Sequence, residues 1–191
     1  MHGLINRSIE SFIRDSYGQE AWDAVAARPG IPAAGFEAFR SYPDALTPQL
    51  IAAAAEVLAK PEAELLEDVG AWLARTEPAR RLLRFSGTDF EDFVLSLEEL
   101  PGRARLVLPD LELPRITVSA ISEAQFRVQV SHAMPEWRSV IAGVLRAMSD
   151  DYGALALIVD EAGVIGVDVS DDTFFAGRDF QLGSDVVQRA V

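Results

Sequence analysis

The chain has 191 residues, 49% apolar and 25% charged, the balance of a folded globular protein able to bury a sizeable core. Thirty acidic against 17 basic residues give a formal charge of −13, which repels phosphate backbones and anionic lipid and argues against nucleic acid or a membrane as partner. There is no cysteine, so disulfides, thiolate metal sites and cysteine nucleophiles are excluded.

The opening MHGLINRSIESFIRD carries charges every few residues, unlike a signal peptide. No segment approaches the roughly 20 apolar residues of a membrane span. A soluble, cytoplasmic protein is expected. In GLINRSIESFIRDSYG the apolar Ile5, Ile9, Phe12 and Ile13 recur at helical spacing, with Gly18 as punctuation. QEAWDAVAARPG predicts a second helix that stops before Pro29. Thr47 reads as an N-cap with Pro48 at the first helical position, ahead of TPQLIAAAAEVLA. Pro61 opens a further helix, PEAELLEDVGAWLART. Thr88 and Glu91 form a Thr-x-x-Glu capping box before FEDFVLSLEEL. That helix meets Pro101–Gly102, which either ends it or begins a new turn at an altered angle.

After Pro114 the period changes. RITVSAI and QFRVQVSH alternate on either side of Ser122-Glu123-Ala124 and predict a β-hairpin. EWRSVIAGVLRAMSDDYG returns to helical spacing, with Val140, Ile141, Val144, Leu145 and Met148 on one face. ALALIVD and VIGVDVS then flank the turn Glu161-Ala162-Gly163. A strand-strand-helix-strand-strand order predicts an α+β fold with an antiparallel sheet of about four strands and flanking helices. Beyond residue 170, Phe174, Phe175 and Phe180 suggest packing onto the body.

Chemistry-bearing motifs are few. The cluster Asp168, Asp171 and Asp172 lacks the glycine and terminal glutamate of a calcium loop, so a solvated turn is expected. No phosphate-binding glycine loop, Ser-His-Asp order or His-x-x-x-His pair occurs, and no enzymatic activity is expected. The two histidines are His2, at the terminus, and His132, at the end of a predicted strand.

Several stretches, taken in order and spacing, resemble the H-NOX (haem–nitric oxide/oxygen binding, HNOB) family. They are MHGLIN, SYGQEAW, SYPDALT, LAKPEAELLEDVGAWL, FVLSLEEL, LVLPDLELP and VIAGVLRAMSDDYG, spread over residues 1 to about 170. The resemblance implies a single H-NOX-like domain over 1–191, with a helical subdomain over about 1–60 and a haem-pocket and sheet subdomain over about 61–191. In the family, a Leu-Asp-x-Leu-His-like motif supplies the proximal histidine to haem iron. The matching text is Leu97-Glu98-Glu99-Leu100-Pro101, with Pro101 at the ligand position. A porphyrin-distorting proline falls at Pro114. The propionate-binding Tyr-x-Ser-x-Arg motif falls on Val130, His132 and Met134. Ile5 and Ile9 match apolar distal-pocket positions, and Ser139 matches a position that holds tyrosine in oxygen-binding members.

The resemblance therefore implies the scaffold without the groups that hold haem b. A proline offers iron no lone pair, and Val130 and Met134 neither pair with nor hydrogen-bond a propionate. The expectation is a non-enzymatic sensory or regulatory domain, haem-free, with the pocket collapsed or holding some other apolar small molecule. One alternative is a true haem gas sensor with a replacement axial ligand, His132 first, with Met134, Tyr17, Tyr42 and Tyr152 as formal candidates. Another is a ligand-free protein-interaction module. By family analogy the partner would be a histidine kinase or a cyclic-di-nucleotide enzyme.

Overall fold

The computed structural model describes residues 2–31, 34–85 and 87–171. Helix α1 (Gly3–Tyr17) buries Ile9, Phe12 and Ile13. It is capped by the His2 imidazole, whose Nδ1 accepts the Leu4 N–H at 3.2 Å. Gly18, at φ 88°, ends it in a conformation that L side chains rarely adopt, and α2 (Gln19–Ala27) leaves in a new direction. Helix α3 (Leu46–Val57) begins one residue before the expected cap. Thr47 lies inside its first turn instead. Its fully buried hydroxyl donates to Asn6 Oδ1 at 2.6 Å, so a contact between helices has claimed the group that would otherwise cap. Helix α4 (Glu62–Arg75) follows Pro61 as expected.

Helix α5 (Glu77–Arg84) has no counterpart in the sequence reading. At eight residues it is too short to display a period. Helix α6 (Phe90–Ser96) is capped not by Thr88 but by Asp89, which accepts from Asp92 N at 2.8 Å; the Thr88 hydroxyl donates to the Asp92 carboxylate at 2.8 Å. The expected Thr-x-x-Glu box is thus replaced by an Asp-centred cap one residue later, because Asp accepts as well as Thr does. A 3₁₀ turn, Leu97–Glu99, leads into α7 (Leu100–Val107). Pro101 sits in the first turn of α7, where its missing N–H costs nothing. Of the two outcomes foreseen at this proline, the chain takes the new helix.

Strands β1 (Arg115–Ala120) and β2 (Gln125–Ser131), helix α8 (Trp137–Tyr152), and strands β3 (Leu155–Glu161) and β4 (Val164–Asp171) complete the described chain. The four-stranded sheet runs β1-β2-β4-β3 and every pairing is antiparallel. Register places Val118 opposite Val128, and Val167 opposite both Phe126 and Ile158. The inward residues of the sheet join Phe93, Leu97, Leu145 and Met148 of α6, its 3₁₀ extension and α8 in one core. A second core, with Ile13, Trp22, Leu50 and Leu65, lies among α1 to α4. Helix α4 serves both: Leu66 and Val69 face the helical core and Ala74 the sheet core.

Helix α8 docks along α4 with almost no space between backbones. A Cβ at Gly70 would stand 2.0 Å from the Val140 carbonyl oxygen, and one at Gly143 would stand 1.9 Å from that of Glu67. Glycine here permits a close approach of backbones. The far end of α8 is fastened to α5 by charge. Asp151, 8% exposed, lies 2.8 Å from Arg80 and 3.6 Å from Arg84. The Arg84 guanidinium also stands 4.1 Å over the Tyr152 ring, whose hydroxyl donates to Gly87 O at 3.0 Å.

Burial pushes the Tyr152 phenol above its ordinary value of 10.0, outweighing the nearby Arg84 charge. The fold therefore favours the neutral phenol. That stability is complete below the unfolded value near 10 and drains as pH rises through the higher folded one. Tyr152→Phe should cost about 1 kcal/mol at neutral pH by deleting the Gly87 bond. The wild-type advantage should then shrink in urea melts taken above about pH 10. A gap that stays constant with pH would disprove the linkage.

Candidate functional site

A cavity of about 580 Å³ opens where α1, α3, α4, α5, α7 and α8 converge on β1. The helical periods explain its walls. Ile5 and Ile9 come from one stripe of α1, Leu66, Val69 and Leu73 from α4, and Val140, Ile141 and Val144 from α8. Helix α7 contributes Leu100, Pro101, Ala104 and Val107. Val107 is 73% exposed and its neighbour Leu106 85%, so the cavity reaches solvent beside α7. A pocket of this size and apolarity fits the range of small-molecule sites. It stands open, not collapsed.

Of the residues singled out in the sequence, Ile5, Ile9, Pro101, Pro114 and Met134 all stand on this wall. Val130, His132 and Ser139 do not. Val130 packs against the sheet core. Ser139 is buried in the first turn of α8. His132 follows the end of β2, and its Nδ1 accepts the Met134 N–H at 3.0 Å while its ring meets Trp137 edge-on at 6.0 Å. Both histidines thus use Nδ1 as an acceptor for a backbone N–H two residues on. The hydroxyls of Tyr42 and Tyr152 engage Glu37 N and Gly87 O, and Tyr17 is 41% exposed; none of the three lines the cavity. Among the described residues no histidine or tyrosine stands on its wall.

The polar groups of the wall are mostly engaged. Ser8 Oγ donates to Leu4 O at 2.9 Å, Thr76 Oγ1 to Leu73 O at 2.7 Å, and Thr47 to Asn6. The Arg7 guanidinium donates to Phe36 O at 2.9 Å. Two polar atoms of wall residues are buried without a partner: Trp137 Nε1 and Glu136 Oε2. Sequence reading passed over both residues, along with α5. An indole between two charged residues, Glu136 and Arg138, at a helix start is the signal the sequence offers there.

The sequence pattern of the Haem-NO-binding family matches residues 2–154, a span that takes in every wall of the cavity. The chain belongs to this family. The fold agrees: it is that of H-NOX domains. An H-NOX protein of S. oneidensis, solved in the Fe(II)NO ligation state, superposes with a TM-score of 0.76 at 15% identity, over 90% of this chain and 100% of that one. One of K. algicida, solved as Fe(II) unliganded, gives 0.78 at 16% identity, over 92% and 100%. A soluble guanylate cyclase of Caenorhabditis elegans is 23% identical over 84% of this chain. One of Drosophila melanogaster is 22% identical over 64% of it. This H-NOX chain spans only 23% and 19% of the lengths of those two cyclases.

As a member of this family the chain is an H-NOX sensory domain. No group of three His, Cys, Asp or Glu side chains among the described residues is placed to hold a metal ion. Asp168 Oδ2 instead accepts from Gln125 Nε2 at 2.8 Å. Asp172 and the phenylalanines at 174, 175 and 180 lie outside the described residues. No helix among the described residues is long and apolar enough to cross a membrane.

Proposed function

We propose that this H-NOX domain is a non-enzymatic sensory module whose cavity receives an apolar small molecule in place of haem. The observation that carries this reading is Pro101. It is buried on the cavity wall, on the helix to which the family resemblance assigns the iron ligand. Haem iron takes a lone pair from histidine, cysteine, methionine or tyrosine, and proline has none to give. The charged groups of the wall do not fit haem's propionates either. The charged wall residues are Arg7, already bonded to Phe36 O, and Glu136, whose charge opposes a propionate. The open apolar volume supports occupancy by something else.

Protein purified from haem-supplemented cells tests the reading directly. The expected absorption spectrum has no stoichiometric Soret band; one that appears and shifts with nitric oxide overturns it. A second reading, a gas sensor with a replacement axial ligand, finds support in Met134, which does line the cavity, and not in His132, which does not. Under that reading Met134→Ala abolishes a Soret band that His132→Ala leaves intact.

As output, the domain controls a separate signalling activity. The cyclase relatives favour a nucleotide cyclase as effector, alongside the histidine kinase or cyclic-di-nucleotide enzyme that the family resemblance implies. Ligand entry beside α7 would bias that output through α8, which shares the cavity wall and the sheet core.

A further inference from the structure

We infer that the cavity selects a neutral hydrocarbon that carries no hydrogen-bonding group. This deepens, and rests on, the reading of the cavity as a site for an apolar ligand other than haem. The first ground is the inner wall. Its buried residues include Ile9, Leu66, Val69, Ala104, Ile141 and Val144. Among the described residues, Thr47 is the one polar residue of the wall that is buried. Its hydroxyl already donates to Asn6 Oδ1 at 2.6 Å. On the half-buried parts of the wall, the Ser8 and Thr76 hydroxyls give their protons to Leu4 O and Leu73 O. Trp137 Nε1 and Glu136 Oε2 are closed off by protein, so a ligand reaches neither. The inner wall therefore holds no hydrogen-bond donor free for a guest.

The second ground is how each kind of guest fares against such a wall. A hydrocarbon leaves behind only the water around its apolar surface, and every contact with the wall favours it. A hydroxyl gives up its hydrogen bonds to water and meets no donor in exchange. A carboxylate or an ammonium fares worse, because its charge would enter an apolar volume. Further polar groups of the wall, on Arg7, Ser11, Trp72 and Glu136, belong to residues that solvent reaches: Arg7 is exposed and the other three are half-buried. A guest that bonds to one of them takes the place of water, which gains little. Val107, 73% exposed, carries the apolar wall out to the mouth beside α7, so a hydrocarbon is met by like surface from its entry onward.

Limonene, perillyl alcohol, perillic acid and perillylamine test this, because they share one carbon skeleton and differ at a single carbon: methyl, hydroxymethyl, carboxylate or aminomethyl. Their binding to the full chain is read by equilibrium dialysis. Limonene should bind saturably, and perillyl alcohol roughly tenfold more weakly, since its hydroxyl is buried without a partner. The acid and the amine should be weaker still. Ala104→Phe, which fills the cavity from α7, should abolish limonene binding, and Ala79→Phe, which fills it from α5, should do the same. Far-ultraviolet dichroism and thermal midpoints establish that each variant is folded. If the alcohol, the acid or the amine matches limonene, the exclusion of polar groups is wrong while the apolar-ligand reading stands. If a folded variant of either kind binds limonene unchanged, the guest lies elsewhere and the inference fails. If no probe binds, the apolar-ligand reading falls and takes this one with it.

Discussion

Gly143→Ala should lower the unfolding free energy by about 3 kcal/mol, against a helix-propensity gain of about 1 kcal/mol for the same change. The two effects have opposite signs, so the experiment decides between them. Propensity alone predicts a more stable protein. Packing predicts the reverse, because the new methyl would sit 1.9 Å from Glu67 O, a backbone atom that cannot swing aside. Helix α8 must move off α4, and the ion pair of Arg146 with Glu67 across the same seam loosens with it. For a chain of this size the thermal midpoint should fall by about 10 °C. Gly102→Ala is the control: its Cβ meets nothing within 4 Å, on the exposed side of α7. There propensity acts unopposed, and a gain of up to about 1 kcal/mol is expected. Melting followed by circular dichroism reads both. A stable Gly143→Ala protein would mean that the α4–α8 seam is not as close as described. Because α8 carries Val140 and Val144 into the cavity wall, the same variant should also change the shape of the cavity.

Pro101→His should retain about one haem per chain after purification from haem-supplemented cells, where the unsubstituted protein is expected to show no stoichiometric Soret band. The cavity is already large and apolar, and position 101 is buried on its wall in the first turn of α7. Histidine is accommodated at a helix start with little loss of propensity, and the substitution returns an amide N–H to a turn that leaves such groups free. The imidazole would give the wall the strong iron donor it lacks. Retention should remain easier to reverse than a fully clamped site allows, because Glu136 still opposes the propionates; Pro101→His with Glu136→Gln should hold haem longer against an apo-protein acceptor. Should Pro101→His stay colourless, the missing iron ligand is not what separates this cavity from haem.

Much of this was legible in the chain itself. Alternation in RITVSAI and QFRVQVSH located the hairpin, and the helical spacing in VIAGVLRAM located α8, because each element must bury one continuous face. Helix starts were less legible. Thr47 and Thr88 are good caps by type, yet Asn6 claimed the first and Asp89 displaced the second. Either hydroxyl satisfies any nearby partner, and the partner is chosen by what packs alongside. Helix α5 escaped notice because eight residues span barely two turns, and its Asp151 anchor lies some seventy positions away.

The candidate site divides along the same line. The residue types that refuse iron and propionates, Pro101 and Val130 among them, are fixed by the sequence, since no folding gives proline a lone pair. Composition likewise fixed the acidic surface and the lack of thiols, because these belong to atoms and not to their arrangement. Only the tertiary structure decided that Met134 lines the cavity while His132 turns its Nδ1 to the Met134 amide, although two positions separate them. It alone revealed that α8 comes within glycine distance of α4, and that an apolar volume opens between those helices and α7. These are distances between segments remote in the chain, set by how whole helices pack, and local sequence carries no term for them.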